Sequence, residues 1–227
     1  MLEQWYSGYG NSTGGRQQSG RYSSVSVPYT PDSTYIRMLN RMPSAMRFSY
    51  NPLVREAIEL YLFKRRGLLS SMLSLSDLYF PEIEMTLDKS GLPMELRYLV
   101  IVESALNPKA ISPAGAAGLW QLMLPTGKIY GLTVNSLVDE RMDPVKSTEA
   151  CRFLKDLYRI YGDWWLVLAA YNCGPGNVNR ALKRTGTDRP NFWEIYRYLP
   201  NETRRYIPLF IGAYFAMHYH REYGILP

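Results

Sequence analysis

The chain has 227 residues, 46% of them hydrophobic, and 26 basic against 20 acidic side chains give a net charge of +6. That length fits one ordinary domain plus a tail, and the charge is spread too evenly for a nucleic-acid arm, so no nucleic-acid partner is expected. With two cysteines and two histidines, and neither a CxxC nor a Cys/His cluster, no structural zinc site is expected.

Residues 1–45 are rich in Ser, Gly, Gln, Tyr, Asn and Pro without apolar periodicity, and they read as a flexible or surface-draped segment. They show no basic stretch followed by an apolar run, so no export signal is visible. From about residue 50 the texture becomes helical. A first helix is predicted over 52–66, with Pro52 in its first turn and Leu53, Ala57, Leu60 and Tyr61 on one stripe. A second covers 69–90, with a break near Pro81, and ends at Gly91. A third opens near Pro93 and closes by Asn107 and Pro108, because a residue before proline avoids the α region. A loop of small residues follows.

Asp143 and Pro144 announce a helix through Ile160, and Asp163 caps the next, WWLVLAAYNC, which is apolar nearly all round and should be central. GPG at 174–176 stops it. Shorter helices follow at NVNRALKR and NFWEIYRYL, and a long last one spans 201–222, with Pro208 near its start or at a kink. Its longest apolar run, IPLFIGAYFAM, is too short to cross a bilayer. No strand and no repeat is evident. The class is all-α. KRR at 64–66 and RR at 204–205 read as solvated helix faces. Cys151 and Cys173 read as buried free thiols, with a disulfide left open.

One residue breaks the pattern. Glu103 lies in LRYLVIVESAL, where its helical neighbours Leu96, Leu99, Val100 and Leu106 are all apolar, while Glu95 and Arg97 take the more polar sector. A carboxyl on an inward stripe resists ionising and has a raised pKa, which is what a general acid near neutral pH needs. A buried glutamate paired with an arginine, or capping a helix end, explains the position equally well. Downstream, Ser104, Ser112, Gly115 and Gly118 leave room for a backbone turn and a ligand, and Gln121 offers both donor and acceptor. Tyr171 and Asn172 form a polar pair at the tip of an apolar helix, a second local contradiction of the kind that marks functional sites.

ESALNPKAISPAGAAGLWQLM at 103–123, AAYNCGPGNV at 169–178 and ETRRYIP at 202–208 resemble, in order, the motifs of lytic transglycosylases with a soluble-lytic-transglycosylase (goose-lysozyme-like) domain, of the membrane-bound murein transglycosylase D type. The resemblance covers roughly 80–215. It implies a lysozyme-like helical domain at 86–227, with 46–85 as a helical lead-in packed on it.

It also implies cleavage of the β-1,4 bond between N-acetylmuramic acid and N-acetylglucosamine in peptidoglycan glycan strands. The muramyl 6-hydroxyl, not water, would take the anomeric centre, giving a 1,6-anhydro product. By motif position Glu103 is the acid and then the base. Ser104, Ser112, Gly118, Gln121 and Met123 flank the substrate, Tyr171 and Asn172 line the cleft, and the Tyr206 hydroxyl is expected near Glu103. Trp120 stands where many relatives carry Met, and either stacks on sugar or packs. Neither a metal nor an organic cofactor is implied. A monomer in the periplasm is expected, or one associated with the outer membrane or cell wall through segments outside this chain.

The departures, LPTG at 124–127 and Cys173, touch only the groove wall. Glycosidases ordinarily use two carboxylates, and no partner is evident in the motifs: Glu202 reads as a first-turn residue favoured by the helix dipole. A goose-lysozyme-type hydrolase would need Asp139 or Glu140 to activate water. A muropeptide-binding module without activity is the remaining rival.

Overall fold

A computed structural model describes residues 29–187 and 190–227. Among them the chain is helical, with no β-strand and three isolated bridges at Ile111–Ala117, Ala117–Leu122 and Val134–Asp139. None of these helices is long and apolar enough to cross a membrane.

The core is assembled around the last long helix, α11 (Asn201–Tyr219), whose residues from Tyr206 to Met217 are nearly all buried. Against it crosses α2 (Pro52–Glu59), which Asn51 caps by accepting from the Leu53 and Val54 amides. The crossing is close because Gly212 has no side chain: a Cβ there would stand 2.7 Å from the Ala57 carbonyl carbon. Beyond Glu59 the helix passes into a π-turn, Leu60–Lys64, closed by the Arg65 amide donating to the Leu60 carbonyl at 2.8 Å. Periodicity gave no hint of it, because a π-turn changes the bonding step without changing residue type.

The helix α3 (Arg66–Ser90) runs unbroken for 25 residues and ends at Gly91 in the left-handed conformation. The break expected near Pro81 does not occur. Pro81 and Asp77 both lie on the exposed side, so the carbonyl that loses its helical donor can be hydrated. The segment expected to be one helix over 93–107 is a 3-10 turn, Met94–Tyr98, leading into a short α4 (Leu99–Ser104). That turn rotates Glu95 inward. It is buried, not in the polar sector, and its carboxylate accepts from the Ala45 amide.

The expected helix over 144–160 is two, α6 (Pro144–Glu149) and α7 (Arg152–Tyr161), parted at Ala150 and Cys151. Asp143 and Asp163 cap as predicted, and α8 (Trp164–Cys173) buries Leu166 through Ala170. A short α5 (Leu124–Ile129) follows the 103–123 motif, and α9 (Pro175–Thr185) and α10 (Phe192–Ile195) lead to α11. Cys151 and Cys173 are free thiols, the first buried and the second half-buried.

Within the segment read as flexible or surface-draped, residues 1–28 lie outside the described residues. Residues 32–41 form a helix, α1 (Asp32–Arg41), with Tyr35 and Leu39 buried. Its last turn and the stretch after it are held by side chains from the rest of the molecule: Tyr219 donates to the Met38 carbonyl at 2.8 Å, Tyr214 to Pro43, and Trp165 to Arg47 at 3.2 Å.

Candidate active site

Glu103 sits one residue before the end of α4, and the way that helix ends fixes where the carboxyl points. Ala105 and Leu106 adopt left-handed backbone, with φ of 50° and 63°. The Leu106 amide reaches back to the Val100 carbonyl at 3.1 Å and the Ala105 amide to Ile101 at 3.1 Å, a left-handed helix closure made without glycine. Among the described residues the only other non-glycine at positive φ is Gln121, at 46°. All three fall in the 103–123 motif. Left-handed backbone on residues carrying a Cβ costs free energy and concentrates at functional sites.

The carboxyl opens onto a cavity of about 860 Å³ between α2 with its π-turn and the start of α11. Leu53, Ala57 and Leu60 form one wall, and Tyr206, Pro208 and Leu209 the other. Glu103 is half-buried and lines this cavity. Desolvation by the surrounding protein, with a smaller contribution from the Glu202 carboxylate, pushes its pKa up to about 8; the Tyr206 hydroxyl bonded to it pulls the other way. Among the described residues no arginine or lysine forms an ion pair with it.

Tyr206 is buried and donates its hydroxyl to Glu103 Oε1. Burial, then the neighbouring Glu103, holds the phenol far above its ordinary pKa, so it stays a donor. With Oε1 accepting, the proton of the neutral acid belongs on Oε2.

Asn172, at the tip of α8, lines the same cavity. Its Oδ1 accepts from the buried Thr203 hydroxyl at 2.8 Å, which leaves the amide Nδ2 as the group presented to a ligand.

Glu103, Asn172 and Tyr206 are thus brought together. The other seven residues expected at the site lie outside this cavity's lining, and most have their polar atoms engaged with backbone. Ser104 donates to the Val100 and Leu119 carbonyls at 3.0 and 2.9 Å, and Ser112 accepts from the Ala116 amide at 3.0 Å. Trp120 packs: it is buried, and its Nε1 donates to Thr148 Oγ1 at 2.9 Å. Tyr171 donates to the Trp120 carbonyl. Gln121 donates to Ala110 and Gly118 at 3.1 and 3.0 Å, while its buried Oε1 has no protein partner. Met123 is 43% exposed at the mouth of α5. Gly118, at φ 81°, sits where a Cβ would lie 1.7 Å from the Arg141 carbonyl oxygen. Together these residues bind the 103–123 loop to α4 and α8 and so hold Glu103 in place.

Sequence reasoning missed the staple of that loop. Buried Arg141 donates to the Gly115 and Leu122 carbonyls at 2.8 and 3.0 Å while paired with Asp139 at 2.7 Å. Nothing in the local pattern marks it, since its partners come from a loop some twenty residues earlier. Asp139 and Glu140, the carboxylates a hydrolase would need, are both engaged. Asp139 holds Arg141, while Glu140 is paired with Lys146 and accepts from the Thr133 amide at 2.7 Å. Neither lines the cavity. Glu202 does, and so do Lys64, Arg65, Arg204 and Arg205, from the two basic runs read as solvated faces.

The profile of the family described as Transglycosylase SLT domain matches residues 81–193. The chain is 36% identical over 179 residues to membrane-bound lytic murein transglycosylase D of Escherichia coli K12, covering 77% of this chain and 39% of that protein. It is 36% identical over 106 residues to a putative tributyltin chloride resistance protein of an Alteromonas strain, covering 46% of this chain and 51% of that one. The chain therefore spans well under two thirds of either relative's length. Among solved structures, the 70 kDa soluble lytic transglycosylase of Escherichia coli superposes with a TM-score of 0.54 at 24% identity, over 75% of this chain and 30% of that one. Its complex with bulgecin A gives 0.55 at 24% identity, over the same shares. The fold is thus the lysozyme-like helical one of the soluble lytic transglycosylases, and the chain belongs, through residues 81–193, to the transglycosylase SLT domain family.

Proposed function

We propose that this chain carries the catalytic domain of a peptidoglycan lytic transglycosylase, a lyase that cleaves the β-1,4 bond between N-acetylmuramic acid and N-acetylglucosamine and leaves 1,6-anhydromuramyl ends. The observation that carries the reading is a carboxyl with a raised pKa, Glu103, facing an open cavity with Tyr206 bonded to one oxygen and no arginine among the described residues paired with it. The 36% identity to a membrane-bound lytic murein transglycosylase supports it.

Glu103 Oε2 gives its proton to the glycosidic oxygen as the bond from that oxygen to the muramyl C1 breaks. The resulting carboxylate, held by Tyr206, then removes the proton from the muramyl 6-hydroxyl as O6 bonds to C1. The acid is regenerated and no water is consumed. Asn172 presents N–H donors with which to hold an acetamido oxygen or a hydroxyl in place. Such a substrate puts the domain in the cell envelope.

A second reading has one observation behind it. Exposed Glu202 lines the cavity and could direct water to C1, making the enzyme a hydrolase. Mass spectrometry of digested murein separates the two. Anhydro ends, one water lighter, are expected, and reducing ends would overturn the lyase reading. Glu103→Gln should lose at least about a thousandfold of the rate; lysis at the parent's rate would remove Glu103 from the mechanism.

A further inference from the structure

The sequence contains two basic runs, at 64–66 and 204–205, that the proposed chemistry does not use. They are about 140 positions apart, yet the fold brings Lys64, Arg65, Arg204 and Arg205 to the lining of the cavity that holds Glu103. Three features make this more than a coincidence of surface charge.

First, the rim is built. Lys64 ends the π-turn and Arg65 closes it, and π-turns are frequent at functional sites because they re-aim the residues that follow. Arg204 is half-buried, with its guanidinium 5.8 Å from the Tyr196 ring centre and donating to Asn201 Oδ1, and its buried Nε has no acceptor among the described residues. Second, the charge is in excess. Against these four cations stand Glu56 and Glu202, while burial raises the pKa of Glu103 and disfavours its charge. Among the described residues no ion pair involves Lys64, Arg204 or Arg205. Third, the acid and the cations share one cavity, yet no basic side chain is among the groups that shift Glu103. The cavity therefore carries a cationic rim as well as the acid.

We infer that Lys64, Arg65, Arg204 and Arg205 form a subsite for the carboxylates of the stem peptide carried by the muramyl residue. This rests on the transglycosylase reading. The glycan backbone is uncharged once the lactyl group is amidated, so a cationic rim gains nothing from bare sugar. The peptide hangs from C3 of the same ring whose C1 is cleaved, which places carboxylates a short reach from the acid. Guanidinium forks suit carboxylates in particular.

The test measures binding, so that it does not depend on turnover. In a Glu103→Gln background, affinity is measured for soluble glycan strands whose peptides keep their free carboxylates and for the same strands with those carboxylates capped as amides by carbodiimide coupling. The Glu103→Gln protein is expected to prefer the free-carboxylate strands about tenfold, with the preference shrinking as salt is raised. Adding Lys64→Gln, Arg65→Gln and Arg205→Gln, all at exposed positions, should reduce the preference to within about twofold. Arg205→Lys, which keeps the charge, should retain most of it.

Equal affinity of the starting protein for both polymers would overturn the subsite, as would a preference that survives the triple substitution. The transglycosylase reading fails separately, if the wild-type chain turns over neither polymer.

Discussion

At the residue scale, one raised carboxyl sets the pH behaviour. Glu103 must be protonated to act as acid, and with its pKa at about 8 the rate should fall as pH rises through that value. A pH profile of kcat/KM reads this directly. Tyr206→Phe removes the donor that favours the charged form, so the alkaline limb should move up in pH while the rate falls about tenfold; a limb that moved down would contradict the assigned bond.

Stability follows the same sign. The folded carboxyl binds its proton more tightly than the unfolded one, so folding loses stability as pH rises from the ordinary carboxylate range toward 8. Glu103→Gln cannot incur that loss, and its melting temperature should gain on the wild type between pH 4.5 and pH 8. Glu103 was legible because four apolar neighbours surround it in sequence. The uses of Ser104, Ser112 and Trp120 were not, since each depends on a backbone or hydroxyl partner brought close only by the fold.

At the scale of elements, caps and stops could be read from single residues: Asp143, Asp163, Gly91 and the GPG after α8 all act locally. What escaped is where the hydrogen-bonding step changes with no change in composition, as in the π-turn, the 3-10 turn before α4 and the parting of α6 from α7. Pro81 misled in the other direction, because an exposed proline can be carried by a long, well-packed helix. The 103–123 loop depends on Gly118 lying flush against Arg141. Gly118→Ala should therefore cost about 3 kcal/mol or more, from strain at positive φ together with the clash. Chemical denaturation checks this, and a change under about 1 kcal/mol would show that the loop relaxes easily.

For the molecule as a whole, residues 38–47 are clasped onto the helical body by Tyr219, Tyr214, Glu95 and Trp165. The composition of 1–45 hid this, because the clasp is made mainly by partners far along the chain bonding to its backbone. Glu95→Ala should strip the Ala45 amide of its acceptor, cost about 2 kcal/mol and speed proteolytic cutting between residues 41 and 50. Limited proteolysis followed by mass spectrometry locates the cut; protection equal to the parent's would mean that the tyrosines suffice. The cavity between α2 and α11 was likewise hidden, although every residue lining it was in plain view.

The π-turn at Leu60–Lys64 gives that cavity an adjustable edge. In an α-helix each residue advances the screw by about 100°, so removing one residue from this turn would let the chain resume ordinary winding. Both helices would survive, but Lys64 and Arg65, which end and close the turn, would be re-aimed away from the trough. A single-codon deletion could then detach the choice of substrate from the bond-breaking step without touching the acid.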